Sequence, residues 1–454
     1  MRLTWAQPED LVPAEFAALR EQGVAEAALT PIEQRWALAG GSTVLAPSGA
    51  SATPASSELR ALAREMLAEL QTLQRPSDDE PDEWDAIEAL LPEAPTLATA
   101  AVLDRMHGAW AGRAAGCLLG KPVEKIPREG IEQIARATGN WPIRSYFTAQ
   151  GLPADIAGRW PWNRRSAPTS LIENIDGMPE DDDLNFPILA LDLLEQHGDQ
   201  LATGDIAQAW LASLPAGRVF TAERAAYRNI LDARPVPETA THLNPFREWI
   251  GALIRADVHG WAHPGDVRAA ARSAWLDARL SHTRNGIYGE IWVAALCAAS
   301  IVVESVDEAL DAADAAVPPA SRLAAAVRLG RDTGRALSSG ALTLDGTLDV
   351  LHGEFAGMHW VHTLNNAALI ACAVQAHGTD FGSAIALAVA GGWDTDSAGA
   401  TVGSVVGGLI GADAIDEAWT APLRDSIATS MPGGTERSIR ELAERTLRLS
   451  GAGS

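Results

Sequence analysis

Two short runs of carboxylates are the residues whose types and spacing suggest chemistry. The first, Glu180 to Asp183, ends a long loop and directly precedes an apolar helical pattern. The second, Asp394-Thr395-Asp396-Ser397, follows a glycine pair and also precedes a helical pattern. A helix N-terminus stabilises anions, but carboxylates this close repel one another unless a cation lies among them. A solvated helix cap explains one such run on its own, whereas two matched runs indicate one metal site assembled by folding.

The second run has the geometry to offer several donors to one ion. Asp394 and Asp396 are alternate residues, so an extended turn would point both side chains the same way, with the Ser397 hydroxyl as a further oxygen donor. Oxygen donors without a nearby Cys or His favour a hard ion, so we expect one or two Mg²⁺ or Mn²⁺ ions before Zn²⁺.

A third feature is a run of small residues from Gly108 to Gly120 that ends in a Gly-Lys-Pro turn, with a lone glutamate, Glu124, just beyond it. An exposed surface position is the alternative interpretation of Glu124. The pattern after Ser397 also contains glycines at four-residue spacing. Such spacing lets another helix approach its backbone closely, and we expect tight packing inside a helical bundle.

The elements that must position these residues are helices. Apolar residues recur with 3.6-residue spacing in most of the chain after residue 97, and few stretches alternate as strands do. The predicted helices are 97–120, 184–197, 205–213, 286–303, 319–337, 364–376 and 397–412. The fold class is therefore predicted to be all-α.

Residues 1–95 differ in composition from the rest. A Gly/Ser/Thr/Pro/Ala segment, 40–57, precedes a helix-like run, 58–73, and the acidic, proline-containing segment 75–83 indicates a linker or exposed turn. We place the boundary between 75 and 97. The expected division is an N-terminal extension or accessory domain of unknown function, 1–95, and a catalytic domain, 96–454.

Composition excludes several classes of function. The chain has 454 residues and a formal net charge of -24, which repels nucleic acid and anionic lipid. No stretch reaches the roughly 20 apolar residues of a membrane span, and no signal peptide is recognisable. The three cysteines, Cys117, Cys297 and Cys372, lie in apolar stretches and are expected to be buried free thiols, which suits a cytoplasmic location. The oligomeric state is not predicted.

Together, the glycine-rich run leading to Glu124, the acidic run opening a helix and the late Gly-Gly-Trp-Asp-Thr-Asp-Ser turn resemble the ADP-ribosylglycohydrolase family, in family order, over about 98–412. The resemblance implies a compact orthogonal helical bundle and a ligand or substrate carrying ADP-ribose. The metal ligands that it implies are Glu180, Asp181, Asp182, Asp394, Asp396 and Ser397. The catalytic residues that it implies are Glu124, Asp182 and Asp394.

The chain departs from the family pattern at four positions, one of which is Ser397 in place of a threonine. Glu180 and Asp183 stand where relatives usually have threonines, which adds negative charge to the first run. Trp393 precedes Asp394 where many relatives have only glycines. Its indole either stacks on a base or ribose, or packs within the protein.

Substrate contacts are also implied by the resemblance. Residues 244–255 are similar to a diverged form of the family's Gly-x-Gly-Ala-Met-Arg loop, which touches ribose and diphosphate, and Ser281-His282 is similar to a Thr-His dipeptide beside the ligand. His282 is equally explained as a structural histidine, and Asn366 as a helix-capping residue. The expected substrate contacts are Arg247, Glu248, Trp249, Gly251, His282, Asn285, Tyr288, Asn366 and Trp393.

The activity implied is metal-dependent hydrolysis of an N- or O-glycosidic bond at C1 of a ribosyl group, with ADP-ribose removed from a modified protein or small molecule. Two alternatives remain open: hydrolysis of a free nucleoside or nucleotide-type riboside, and a non-catalytic protein that binds ADP-ribose. The sequence does not identify the acceptor from which ADP-ribose would be released.

Overall fold

The computed structural model describes residues 3–46, 48–75 and 77–451, so the ends of both expected regions, 1–2 and 452–454, lie outside the described residues. The described chain consists mainly of α-helices joined by loops and short 3-10 turns, which confirms the predicted fold class. The predicted helices are all present, most with ends within two or three residues of those expected.

The N-terminal region contains α1 Pro8–Glu21, α2 Glu26–Leu38, α3 Ser57–Gln71 and α4 Trp84–Glu88. The helices that follow, up to the middle of the chain, are α5 Leu103–Gly120, α6 Arg128–Ala137, α7 Ala154–Arg159, α8 Ala167–Ser170, α9 Asp182–His197, α10 Thr203–Ser213, α11 Thr221–Leu231, α12 Glu238–Thr241 and α13 Asp257–Trp261. The later helices are α14 Val267–Ala278, α15 Asn285–Ser300, α16 Val306–Asp314, α17 Arg322–Ser338, α18 Leu344–Glu354, α19 Thr363–His377, α20 Phe381–Ala390, α21 Thr395–Ile410, α22 Glu417–Thr420 and α23 Ile439–Leu449.

A small antiparallel hairpin lies near the C-terminal end of the described chain. It pairs β1 Ser426–Ala428 with β2 Glu436–Ser438, and Ile427 lies opposite Arg437. Met178 runs beside β1 on its other side: its N–H donates to the carbonyl of Ser426 at 2.8 Å. This contact fixes the backbone two residues before the first acidic run.

Helices α5 and α21 pack antiparallel with their backbones in direct contact, through glycines that face one another along both helices. The facing pairs are Gly108 with Gly407, Gly112 with Gly403, and Gly116 with Gly399. A Cβ on any of these residues would overlap the carbonyl oxygen of its partner. The predicted close approach to the α21 glycines is therefore confirmed, and the C-terminal end of α5 lies against the N-terminal end of α21.

The N-terminal region packs against the helices that follow it. The ring of Trp5 makes edge contacts with the rings of Phe246 and Trp249, each at 5.5 Å between centroids. Glu15 of α1 forms a buried ion pair with Arg247, with 2.9 Å between carboxylate and guanidinium atoms. These contacts join α1 to the segment that resembles the family's ribose and diphosphate loop.

The acidic segment before α4 differs from the expected linker or exposed turn. Glu80 is only 5% exposed and pairs with Arg322 at 2.9 Å. The backbone N–H of Arg284 donates to the Asp82 carboxylate at 2.6 Å, and the Tyr288 hydroxyl donates to the carbonyl of Pro81 at 2.5 Å. Two of the carboxylates that suggested a solvated linker, Glu80 and Asp82, instead meet Arg322 and the backbone at the start of α15, whereas Asp78, Asp79 and Glu83 are exposed.

All three cysteines are buried free thiols, as expected. Among residues 3–46, 48–75 and 77–451, no helix combines the length and apolar character that crossing a membrane requires.

Candidate metal centre and active site

The first acidic run forms the N-terminus of α9. Asp181 caps this helix, and its Oδ1 accepts the backbone N–H of Asp183 at 3.0 Å. Its Oδ2 is paired with the ammonium of Lys121, which follows the last glycine of α5 and also donates to the Glu180 carbonyl at 3.2 Å. The carboxylate of Glu180 points to Arg218 at 2.9 Å. Two of the expected metal ligands therefore have cationic partners.

The second run forms the N-terminus of α21. Asp394 is the N-cap residue, and its N–H donates to Oδ1 of Asn366 at 3.2 Å. Asp396 lies in the first helical turn rather than in the extended turn that the alternation suggested. The two carboxylates nevertheless point toward each other closely enough to share a hydrogen bond.

The helix packing brings the two runs together. The Ser397 hydroxyl donates to Oδ2 of Asp183 at 3.3 Å, so the second run contacts the first directly. At the same level, the Thr395 hydroxyl donates to the carbonyl of Gly120, the last residue of α5, at 2.9 Å. One acidic centre thus forms where the C-terminal end of α5 meets the N-termini of α9 and α21.

Asp183, which the expected ligand set omits, is the most buried member of the first run. Arg113 holds it: the guanidinium donates to the Asp183 carbonyl at 2.7 Å and lies 3.5 Å from its carboxylate. Arg113 also pairs with the buried carboxylate of Asp257 at 2.7 Å. The thiol of Cys117 lies 3.9 Å from Asp183. Donor atoms of Cys117, Asp181 and Asp183 lie within 4.8 Å of one another, so the structure places a thiol beside a donor set expected to be oxygen-only.

Glu124 lies at the edge of this centre, with its side chain 19% exposed. One carboxylate oxygen pairs with Lys125 at 2.9 Å, and the other accepts the side-chain amide of Asn163 at 2.5 Å. Its charge also raises the pKa of Asp394 and Asp396. Sequence reasoning did not single out Asn163, which lies in a loop without a recognisable motif.

Burial and mutual repulsion dominate the electrostatics of the centre. Burial, with the charge of Glu124 next, raises the pKa of Asp396 to about 7. Burial and neighbouring carboxylates also raise the pKa of Asp182 and Asp394 well above the ordinary range. For Asp181 burial opposes ionisation too, but the adjacent Lys121 outweighs it and lowers the pKa.

Asp182, Asp394 and Asp396 are the carboxylates of the centre that form no direct ion pair among the described residues. Lys121 acts on Asp182 and Asp396 only at longer range. Three such carboxylates destabilise one another unless protons or a cation neutralise them. Carboxylate and hydroxyl oxygens are the donor types that a hard divalent cation prefers.

Several expected substrate contacts have partners in the N-terminal region or in the segments that pack against it, and their assignment stays a prediction. Arg247 pairs with Glu15. The ring of Trp249 stacks on that of His359, with 4.3 Å between ring centroids, and Trp5 makes an edge contact with the His359 ring. Glu248 accepts hydrogen bonds from Gln22 at 3.0 Å and from Arg322 at 2.6 Å. Tyr288 is held by Pro81, as described above.

The next three expected contacts also have protein partners. A Cβ on Gly251 would overlap the carboxylate of Glu223. The ring of His282 is hydrogen-bonded to the Ser281 hydroxyl at 2.8 Å, and burial lowers its pKa well below the usual value. The amide of Asn285 joins Glu248 to the N-terminus of α17. Their assignment as substrate contacts stays a prediction.

Asn366 and Trp393 are the expected contacts that adjoin the centre. Asn366 donates to the carbonyls of Trp360 and His362 while it accepts the N–H of Asp394, so it orients the second acidic run. Trp393 is 7% exposed and stacks on His352, with ring centroids 4.3 Å apart. In this arrangement its indole packs within the protein.

Comparison with known proteins identifies the family of this chain. Residues 98–453 match the family model described as ADP-ribosylglycohydrolase. This match covers most of the chain and places the protein among hydrolases that cleave glycosidic bonds. More particularly, the chain belongs to the ADP-ribosylglycohydrolase family.

The fold is similar to that of a solved structure described as an ADP-ribosylglycohydrolase-related protein complex. It is 21% identical in sequence and has a TM-score of 0.47, and the alignment covers 78% of this chain and 99% of that chain. No curated protein matches this sequence.

Proposed function

We propose that this glycohydrolase is metal-dependent and cleaves the bond at C1 of a ribosyl group, with ADP-ribose on a modified protein or small molecule as the leading substrate. The observation that carries the proposal is the group of carboxylates Asp182, Asp394 and Asp396, each of which has its pKa raised by burial and none of which forms a direct ion pair in the described part of the chain. We propose that these residues hold Mg²⁺ or Mn²⁺.

A bound ion of this kind would position substrate hydroxyls and water. Positive charge develops at C1 in an oxocarbenium-like transition state, and surrounding carboxylates stabilise it electrostatically. Glu124 is the candidate to accept the proton of the attacking water. Lys125 and Asn163 each contact one of its carboxylate oxygens and so orient the group at the edge of the centre.

The test uses the double substitution Asp394→Asn with Asp396→Asn, in the presence of Mg²⁺ or Mn²⁺. We expect turnover of an ADP-ribosylated protein to fall by at least about 10³-fold and Mn²⁺ binding to be lost. The matched control is Asp345→Asn, an exposed aspartate in the first turn of α18, which should change neither. Unchanged turnover in the double variant would reject the proposed site.

A second candidate function is hydrolysis of a smaller riboside. It is favoured by the burial of Arg247 and Trp249 under Glu15 and Trp5, because these are residues of the segment that by resemblance would contact ribose and diphosphate. A substrate without diphosphate would not need that surface.

Competition assays separate the two substrates. An ADP-ribosylated protein and a free nucleoside are supplied together, and their kcat/KM values are compared. A ratio that favours the protein substrate by more than about tenfold would support the leading proposal, and the reverse ratio would support the smaller riboside.

A further inference from the structure

A second group of potential metal ligands lies in the helical core, outside the acidic centre described above. His259 on α13, Asp277 on α14 and Glu290 on α15 are almost fully buried. One donor atom of each lies within 4.8 Å of the other two. Because the three residues belong to different helices, only the folded chain brings them together.

Three carboxylates of this group share one guanidinium. Arg255 pairs with Asp277 and, at 2.6 Å, with Glu223, whereas Glu290 lies 3.7 Å from its Nε. Neither carboxylate oxygen of Glu290 has a hydrogen-bond partner in the described part of the chain. Burial, with the charge of Asp277 next, raises the pKa of Glu290 well above its usual value. A buried carboxylate in this situation needs either a proton or a further cation.

The imidazole of His259 is oriented as that of a metal ligand would be. Its Nδ1 lies 2.8 Å from the Ser273 hydroxyl, and its Nε2 points to Oδ2 of Asp277 at 3.8 Å and Oε1 of Glu290 at 4.0 Å. This Nε2 is buried and has no hydrogen-bond partner among the described residues. Histidines that bind metal use one ring nitrogen for the ion, and a neighbouring group hydrogen-bonds the other and fixes the tautomer.

The gaps between these donors suit one transition-metal ion. Separations of 3.8 and 4.0 Å from Nε2 are too long for hydrogen bonds, but an ion between the three atoms would lie about 2 to 2.5 Å from each. Both oxygens of Glu290 lack partners, so a bidentate carboxylate would supply a fourth donor. One imidazole with carboxylates favours Zn²⁺ over Mg²⁺ or Ca²⁺, which prefer oxygen alone.

We propose that His259, Asp277 and Glu290 bind a structural Zn²⁺ ion that joins α13, α14 and α15. The site is separate from the proposed catalytic centre, and the proposal does not rest on the proposed function. Asp257, on the same helix as His259, pairs with Arg113 of α5, so the ion would also stabilise the position of the helix behind the acidic centre. Because the site is enclosed, we expect it to fill while the chain folds and to release the ion slowly.

The experiment measures the metal content of the full chain, produced with Zn²⁺ in the medium and then dialysed against a chelator. It uses the double variant Asp394→Asn with Asp396→Asn, which removes the proposed catalytic metal. We expect one retained Zn²⁺ per chain, and X-ray absorption should show a histidine nitrogen among its ligands. An ion held near Cys117 would instead give a zinc–sulfur signal.

His259→Gln and Glu290→Gln, each added to that double variant, test the ligands. Loss of a group that only hydrogen-bonds a metal ligand lowers affinity about 10- to 100-fold, so loss of a ligand should lower Zn²⁺ affinity at least about 100-fold. Glutamine also mimics a protonated Glu290, so a site that holds only a proton would retain its stability in Glu290→Gln. The matched control is His377→Gln, a partly buried histidine in the last turn of α19, which should keep the ion.

A folded double variant without retained Zn²⁺ would overturn the inference, and so would full zinc content in both ligand variants. If the ligand variants do not fold, anomalous scattering at the zinc edge from crystals of the double variant decides the question. A peak between α13, α14 and α15 supports the site, and no peak there overturns it. None of these outcomes bears on turnover of a ribosyl substrate, so the proposed function is tested separately.

Discussion

The glycine contact between α5 and α21 gives a prediction about both stability and activity. In Gly403→Ala, the added Cβ would overlap the Gly112 carbonyl group and lie 2.7 Å from its carbon atom, whereas nonbonded carbons prefer about 3.5 to 4.0 Å. Because the obstacle is backbone, no side-chain rotation relieves the overlap. The helices must separate by on the order of 1 Å.

The expected cost follows from two opposing effects. Overpacking a close contact costs about 1 to 3 kcal/mol, and a rigid backbone neighbour puts this site near the upper limit. Replacing a helical glycine by alanine stabilises the helix by about 1 kcal/mol. The net expectation is a loss of about 2 kcal/mol in the free energy of unfolding. Since misplacement by about 1 Å can reduce catalysis about 10²-fold, turnover should also fall.

Gly353→Ala is the matched control. Gly353 lies in α18, is exposed, and an added Cβ would meet nothing within 4 Å. It should therefore be neutral or stabilising by up to about 1 kcal/mol. Denaturant unfolding and Mn²⁺ affinity are measured for both variants. Equal stability of the two, or an unchanged affinity and turnover in Gly403→Ala, would refute the view that this contact assembles the site.

Three further predictions concern buried contacts. Arg113→Met leaves Asp257 without its partner, so urea unfolding should show a loss of about 3 to 5 kcal/mol that exposed Arg64→Met does not reproduce. Burial raises the pKa of Glu248, but neighbouring arginines outweigh this effect and lower the pKa to about 2. Their pairing with the charged carboxylate stabilises the folded protein by on the order of 3 kcal/mol. This stabilisation is present above about pH 4.5 and is lost as the pH falls. The stability gap between the unaltered protein and Glu248→Gln should therefore narrow below that pH, and a constant gap would contradict the ion pairing. Trp5→Ala should lower the main calorimetric transition by about 3 kcal/mol, whereas a separate early transition would mean that the N-terminal region unfolds independently.

The sequence carried enough information to predict the helices and the meeting of the two acidic runs, because each depends on local patterns. Glycines at four-residue spacing in α21 indicated a close partner helix, and the structure identifies it as α5. The identity of this partner helix could also have been predicted from the sequence, because α5 contains glycines at the same four-residue spacing: Gly108, Gly112, Gly116 and Gly120. Two matched small-residue stripes predict a contact more strongly than either one alone.

The partners of charged residues were not predictable from local pattern. Acidic composition in 77–83 is typical of solvated linkers, yet Glu80 is buried because Arg322, distant in sequence, supplies the compensating charge. Arg113 likewise stands in a small-residue helix, where burial of a guanidinium is explained only by carboxylates from α9 and α13. Ion pairs of this kind are long-range, so the sequence presents each partner without the other.

The same reasoning applies to the carboxylates of the first acidic run, which meet different partners in the fold. The sequence alone does not distinguish the four carboxylates from Glu180 to Asp183, so any of them could be expected to bind metal. In the fold, Arg218, Lys121 and Arg113 neutralise Glu180, Asp181 and Asp183, respectively. Among the described residues of that run, only Asp182 forms no direct ion pair. The extra carboxylates therefore add ion pairs that hold the loop and the end of the helix.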